Sequence, residues 1–301
     1  MSPRSASYGA RSPRRPAQAG PDGRVAVGLW LVRLPTPHAT GLRLAVDELD
    51  AGERARAASF LRPRDALLWI AAHIALRRLL AATLGLTPQE VAYDREPCRG
   101  CGGPHGRPVL RPGPGARGGE PAVHFSLSHS GGRALVAVAA APVGVDIQRT
   151  PPARTAQVCV HRLHPGERAE LEDLPPDRLG AAFGQLWARK EAYLKGIGTG
   201  LERPPRADYL GTPGQGRRLR PPGWTVLDLR CGPAHSAAVA VRGTPADRCP
   251  VHPLPARWLY EADAAPVLAE MAEMAEKTLR TTETAATAHL TTATRVKETH
   301  T

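Results

Sequence analysis

Residues 123–139, VHFSLSHSGGRALVAVA, constrain the fold more than any other part of the chain. Val123, Phe125 and Leu127 alternate with polar residues at the period of a strand. Gly131-Gly132 can then reverse the chain into the apolar run ALVAVA. A β-hairpin follows, and with it an antiparallel sheet. Val143–Ile147 reads as the next strand, Val25–Val32 (VAVGLWLV) as a buried one, and Trp224–Leu229 and Ser236–Val241 as two more. Glu53–Phe60 suits a short helix. A long helix is expected from Asp65 as N-cap to Gly85 as C-cap, and another from Arg178 to Lys195, stopping at GIGTG. Between Arg95 and Glu120 the density of Gly and Pro argues against regular structure. There is no close repeat, but each half offers strands plus one long helix.

Toward both ends the composition changes. Residues 1–24 read as a disordered basic arm punctuated by proline, and residues 250–301 as a tail, mostly disordered, with a helix that could form over 264–280. The chain carries 40 Lys+Arg against 28 Asp+Glu, a formal net charge of +12 that calls for an acidic partner without saying which. Only Lys190, Lys195, Lys277 and Lys297 are lysines, so two within six residues stand out in an Arg-dominated chain. Five cysteines, an odd and sparse set, suit a reducing compartment. No secretory signal is recognisable, and no run reaches the ~18 uninterrupted apolar residues of a membrane span. The nearest, Ala66–Leu76, contains His73 and meets Arg77-Arg78. A cytoplasmic protein is expected.

Three segments could carry chemistry. On a helix, Trp187, Glu191 and Lys195 share a face at i, i+4 and i+8. That is either a surface ion pair beside a packed Trp or a site that uses an ammonium where Arg would have served as bare charge. In GVDIQ, Val145 and Ile147 face one side of a strand and Asp146 and Gln148 the other. Asp146 is then a hydrogen-bonded structural residue or a ligand for Mg²⁺, which takes one or two carboxylates plus waters and phosphates. The strand end FSLSHSG offers hydroxyls, backbone N–H groups and an imidazole to an anion, or is simply a turn with local hydrogen bonds. Ser128 and His129 point to opposite faces, which argues against a direct nucleophile–base couple. Cys98-Arg99-Gly100-Cys101 with His105 has the look of half a zinc site, without a second well-spaced pair.

Taken together and in order, FSLSHS, VGVDIQ and WARKEAYLKGIGTGL resemble the motifs of Sfp-type 4′-phosphopantetheinyl transferases, and Gly106-Arg107-Pro108 resembles that family's upstream Gly-Lys-Pro element. The resemblance covers residues 25–245. It implies an α+β fold built as a pseudo-dimer of two similar halves, here 25–145 and 146–249, with coenzyme A and Mg²⁺ in the cleft between them. It implies transfer of 4′-phosphopantetheine from coenzyme A to a serine of an apo acyl- or peptidyl-carrier protein, with release of 3′,5′-ADP. By position, Asp146 and Glu191 would hold Mg²⁺, and Gln148, where relatives often have Glu, would ligate it through the amide oxygen or hold a metal-bound water, with weaker metal binding expected. Glu191 would also serve as base and Lys195 would sit on the diphosphate. Ser128, His129, Arg107 and Arg56 would meet the phosphoadenosine end, and Lys190 would support the metal side. Where relatives often carry basic residues, the long helix begins with Leu67-Leu68-Trp69. A monomer is expected, with no nucleic-acid or membrane partner. The competing readings are a family member that only binds carrier protein, motivated by Gln148, and a basic nucleic-acid-binding protein, opposed by 4% aromatics and scattered charge.

Overall fold

The computed structural model describes residues 24–35, 43–98, 101–104, 106–111, 123–211, 221–246, 248–260 and 265–274. The expected basic arm (Arg24 excepted), His105 and everything after residue 274 lie outside them.

The first sheet is ordered β4-β5-β1-β9, with β1 Val27–Arg33, β4 His124–Ser130, β5 Arg133–Ala139 and β9 Val251–Pro253. The hairpin forms as expected: Ser130 faces Arg133 across a two-residue turn whose glycines both have positive φ, +58° and +84°. A primed turn of this kind matches the strand twist and needs such residues. The second sheet is ordered β6-β8-β7, with β6 Val143–Arg149, β7 Trp224–Leu229 and β8 His235–Arg242, all antiparallel. The period of two then sorts side chains between layers. Leu29, Leu31, Leu135 and Ala137 of the first sheet meet Val145, Ile147, Val239 and Val241 of the second in one core. Trp30, Val32, Ala134 and Val136 turn the other way. The architecture is mixed α+β.

Two helices cover the outer faces. α2, Pro63–Leu84, packs on the first sheet. It starts earlier than expected, because Pro63 at the first helical position begins the turn and Asp65 falls inside it; Gly85, φ +70°, ends it as expected. By length and composition α2 could cross a membrane, unlike the shorter run recognised in the sequence, but most of its apolar window is buried inside the fold. Arg77 and Arg78 are buried there, Arg77 on Glu53 (2.6 Å) and Asp50 (2.8 Å), and Arg78 on Glu48 (2.7 Å). Asp50 and Glu53 also form the capping box of α1, Ala51–Ala58. On the second sheet lies α5, Pro176–Ile197, ended by Gly198 at φ +78°. Ala188 and Ala192 of α5 rest on Ala238 and Ala240 of β8. α3, Ala153–Cys159, and α4, Pro165–Glu172, pack with Phe183 and Leu186 of α5.

Two stretches differ from the sequence reading. The Gly/Pro-rich region contains a short antiparallel pair, β2 Tyr93–Arg95 with β3 Pro108–Leu110, because Gly106 lets the chain pass hard against the Glu96 carbonyl. Residues 251–260, read as the start of a tail, lie on the first sheet. β9 runs parallel to β1, Trp258 and Leu259 are buried, and Arg78 donates to the Trp258 and Tyr260 carbonyls. Residues 265–274 are helical, with Met271 fully buried in that core. Val267, Leu268 and Met274 pack against the same core.

Candidate active site

The site begins with a close crossing. A Cβ on Gly144 would fall 2.0 Å from the Ala192 carbonyl and 2.4 Å from the Gly196 amide, so only glycine lets β6 lie this near the end of α5. Asp146, two residues along on the same face of β6, is thereby brought under Lys195. A second device aligns β4 with β6. Ser126, Ser128 and Ser130 project on one face of β4, and their Oγ atoms accept from the amides of Val145 (3.1 Å), Ile147 (3.3 Å) and Arg149 (3.1 Å). Serine side chains here replace a backbone ladder between the sheets. The FSLSHS pattern is thus a suture before it is anything else.

Asp146, 1% exposed, is the hub. Its Oδ1 accepts from Ser128 Oγ at 2.8 Å and pairs with Lys195 Nζ at 2.6 Å, and its Oδ2 accepts from Gln148 Nε2 at 2.9 Å. Lys195 Nζ also donates to Ser128 Oγ (3.0 Å) and to the Val145 carbonyl (3.3 Å). Glu191 sits one turn before Lys195. Burial, and then repulsion from Asp146, push its carboxyl above the usual range, against a smaller pull from Lys195. Two carboxylates close enough to repel, one of them deeply buried, form a donor set suited to a hard divalent cation. Gln148 presents its amide N–H to Asp146 and so acts here as a donor that steadies the carboxylate.

Lys190 does not join this group. It points to the other side of α5, 1% exposed, with Glu167 Oε1 at 2.6 Å and the Asp208 carbonyl as partners. Burial lowers its pKa and Glu167 partly restores it. Trp187 likewise turns away and stacks on Phe183 at 5.9 Å.

Beside the hub lies a cavity of about 890 Å³. Lys195, Gly198, Thr199 and Gly200 form one side, and Arg56, Arg107 and His129 line it further along. His129 faces it, its pKa lowered first by its enclosed surroundings and then by His73 and Lys195. Arg107 reaches from the start of β3 to the end of α5, donating to the Gly196 carbonyl (2.9 Å) and to Glu96 (2.8 Å), while its buried Nε has no partner among the described residues. Such an unpaired donor beside a cavity suits an anion. Arg56 lies over the Phe60 ring at 5.1 Å. Trp69, His73 and Glu53 were not assigned to the site from sequence. In the structure Trp69 and His73 stack at 3.7 Å in the cavity wall, and Glu53 accepts from or pairs with His73 Nδ1 at 2.9 Å. The i, i+4 spacing of Trp69 and His73 on α2 is the available signal for that pair. Among the described residues no group of three His, Cys, Asp or Glu is gathered for a metal; Cys98 is buried, Cys101 is exposed and neither is in a disulfide.

A buried carboxylate paired with a lysine, a second carboxylate beside them and a cavity lined by cationic side chains are the equipment of a phosphoryl-group transferase. The chain matches the family model of the 4′-phosphopantetheinyl transferase superfamily over residues 142–221, which includes Asp146, Glu191 and Lys195. It is 32% identical over 220 residues to the 4′-phosphopantetheinyl transferase HetI of Nostoc sp., covering 72% of this chain and 88% of that protein. It is 28% identical over 156 residues to a 4′-phosphopantetheinyl transferase of Bacillus subtilis, covering 52% and 63%. It is 32% identical over 84 residues to the transferase Sfp of Bacillus subtilis, covering 28% and 37%. The chain belongs to the 4′-phosphopantetheinyl transferase family and is an enzyme of that class.

Proposed function

We propose that the protein transfers 4′-phosphopantetheine from coenzyme A to a serine of an apo acyl- or peptidyl-carrier protein, releasing 3′,5′-ADP, with Mg²⁺ at Asp146 and Glu191. In this reading residues 25–145 and 146–249 are the halves of a pseudo-dimer, with coenzyme A in the cavity between them. One observation carries it: Lys195, at the edge of a cavity also lined by Arg56, Arg107 and His129, is paired at 2.6 Å with the buried Asp146, which ties β6 to the helix that carries Glu191 one turn earlier.

A serine hydroxyl is a weak nucleophile near neutral pH and needs a base. Glu191 suits that part, since its raised pKa lies nearer the working pH than an ordinary carboxylate's. The serine oxygen bonds to the phosphorus that carries the pantetheine, and its proton passes to Glu191. The bond to the adenosine-side phosphate breaks, and that phosphate leaves on Lys195. A bound divalent cation supplies charge neutralisation at the diphosphate. Arg107, with its unpaired Nε, together with His129 and Arg56, would hold the phosphoadenosine end. Ser128 acts indirectly, by holding Asp146 and Lys195 in place. Lys190 has a structural part.

The test is direct. Incubated with an apo carrier protein, coenzyme A and Mg²⁺, the enzyme should add ~340 Da to the carrier, read by intact mass. Failure on several acyl and peptidyl carriers would overturn the reading.

A further inference from the structure

The ammonium of Lys195 is held in a cage that has the chemistry of a cation site. Each of its N–H bonds meets an oxygen: the Asp146 carboxylate at 2.6 Å, the Ser128 hydroxyl at 3.0 Å and the Val145 carbonyl at 3.3 Å. Carboxylate, hydroxyl and backbone carbonyl are hard oxygen ligands of the kind that receive Mg²⁺ or Mn²⁺. The second oxygen of Asp146 is engaged by Gln148 at 2.9 Å. Both oxygens of the buried carboxylate are therefore in use, and a positive charge already rests on one of them.

We propose that Lys195 is the resting occupant of the cation position, and that divalent metal and coenzyme A displace it together. The inference rests on the transferase reading for the identity of the second ligand. Charge makes the case. Asp146 and Glu191 carry two negative charges, and Lys195 offsets one. A divalent ion entering alone would have to share Asp146 with the ammonium or drive it into the cavity without a partner. The diphosphate of coenzyme A gives Lys195 a new partner across the cavity it already lines. Each ligand thus removes an obstacle to the other, and linkage makes that help reciprocal. Five residues earlier, Lys190 is a built-in contrast: it is locked on Glu167, away from the cavity, and has no such exchange to make.

Mn²⁺ binding, followed by loss of the free-ion EPR signal, tests this without any transfer step. The expectation is weak binding of Mn²⁺ alone, tightened at least about tenfold by coenzyme A. Lys195→Met should tighten binding of Mn²⁺ alone about tenfold and shrink the gain from coenzyme A. Arg56→Gln removes another positive charge at the cavity but none from the cage, and should change Mn²⁺ affinity less than about twofold. If Lys195→Met binds Mn²⁺ no better than the native protein, or if Arg56→Gln tightens it equally, the proposal fails. A second readout needs no variant. With ¹⁵N-labelled lysine, Mg²⁺ plus coenzyme A should move the Lys195 ammonium resonance and leave Lys190 in place; an unmoved Lys195 overturns the exchange. Absence of carrier modification with this metal behaviour intact would strike the proposed function and spare the exchange.

Discussion

Helices α2 and α5 have the same length, both begin with proline in the first turn, and both end on a glycine in the left-handed region. They differ in what their charged residues do. α2 is buried on almost every side, and its Arg77 and Arg78 are spent on Glu53, Asp50, Glu48 and backbone carbonyls of the Trp258 segment. α5 uses Arg189 and Lys190 for that purpose, on Asp228 and Glu167, and leaves Lys195 at the cavity with Glu191 one turn before it. The difference teaches that a charge on a long helix says little until its partner is known. Inside, it organises the fold; at a boundary between layers, it remains available to a ligand.

That contrast can be broken at either helix. The largest effect is expected in α2. Arg78→Met leaves Glu48 buried and uncompensated and should cost about 3–5 kcal/mol, read by thermal or urea denaturation. An unchanged midpoint would remove the scaffold role. In α5, Lys195→Ala should lower the transfer rate about 10²–10³-fold with a smaller loss of stability than Arg78→Met, because Asp146 keeps Ser128 and Gln148 as donors and the ammonium's place opens to the cavity; a melting temperature as low as that of Arg78→Met would erase the distinction.

Glu53 sharpens the scaffold side through pH. Burial raises its pKa, but His73, the Asp50 amide and Arg77 outweigh this, and the net shift is downward from 4.5. Its stabilisation is therefore present above the unfolded value and lost as pH falls through the lower folded one. Glu53→Gln should be less stable than native at neutral pH, with the gap closing on acidification. Denaturation midpoints from pH 7 to pH 3 give the check; a gap that widened in acid would contradict the sign. The smallest effect is expected at Gln148→Glu, which adds a carboxylate next to Asp146. Mn²⁺ affinity should rise a few-fold, and an unchanged affinity would show that this position takes no part in metal binding.

Much of this was legible beforehand, and the rest failed for identifiable reasons. The Gly131-Gly132 hairpin, the strand at Val143–Ile147 and the glycine stops of both long helices come from local rules that need no tertiary information. Asp146 and Lys195 were singled out by residue type and meet at 2.6 Å. Lys190 was grouped with them because it is adjacent in sequence, but one residue turns a helical side chain by ~100°, enough to send it into the opposite core. Ser128 was read as a ligand contact, and the bond it makes across the sheets depends on β4 and β6 lying alongside each other, which no local pattern encodes. Residues 251–260 looked like tail for the same reason: a three-residue strand acquires its meaning only from β1 beside it.

That strand also bears on the order of assembly. β9 closes the open edge of β1, and Trp258 and Leu259 complete the core under α2, yet they follow the entire second half in the chain. The first half emerges earliest during synthesis and is expected to begin folding first, but its last pieces arrive only after β8 has been made. Until then it exposes a strand edge and part of its core, so its completion waits on the second half. The two halves are thereby tied in time as well as in space, and a nascent chain interrupted before residue 251 would be left with an incomplete first core.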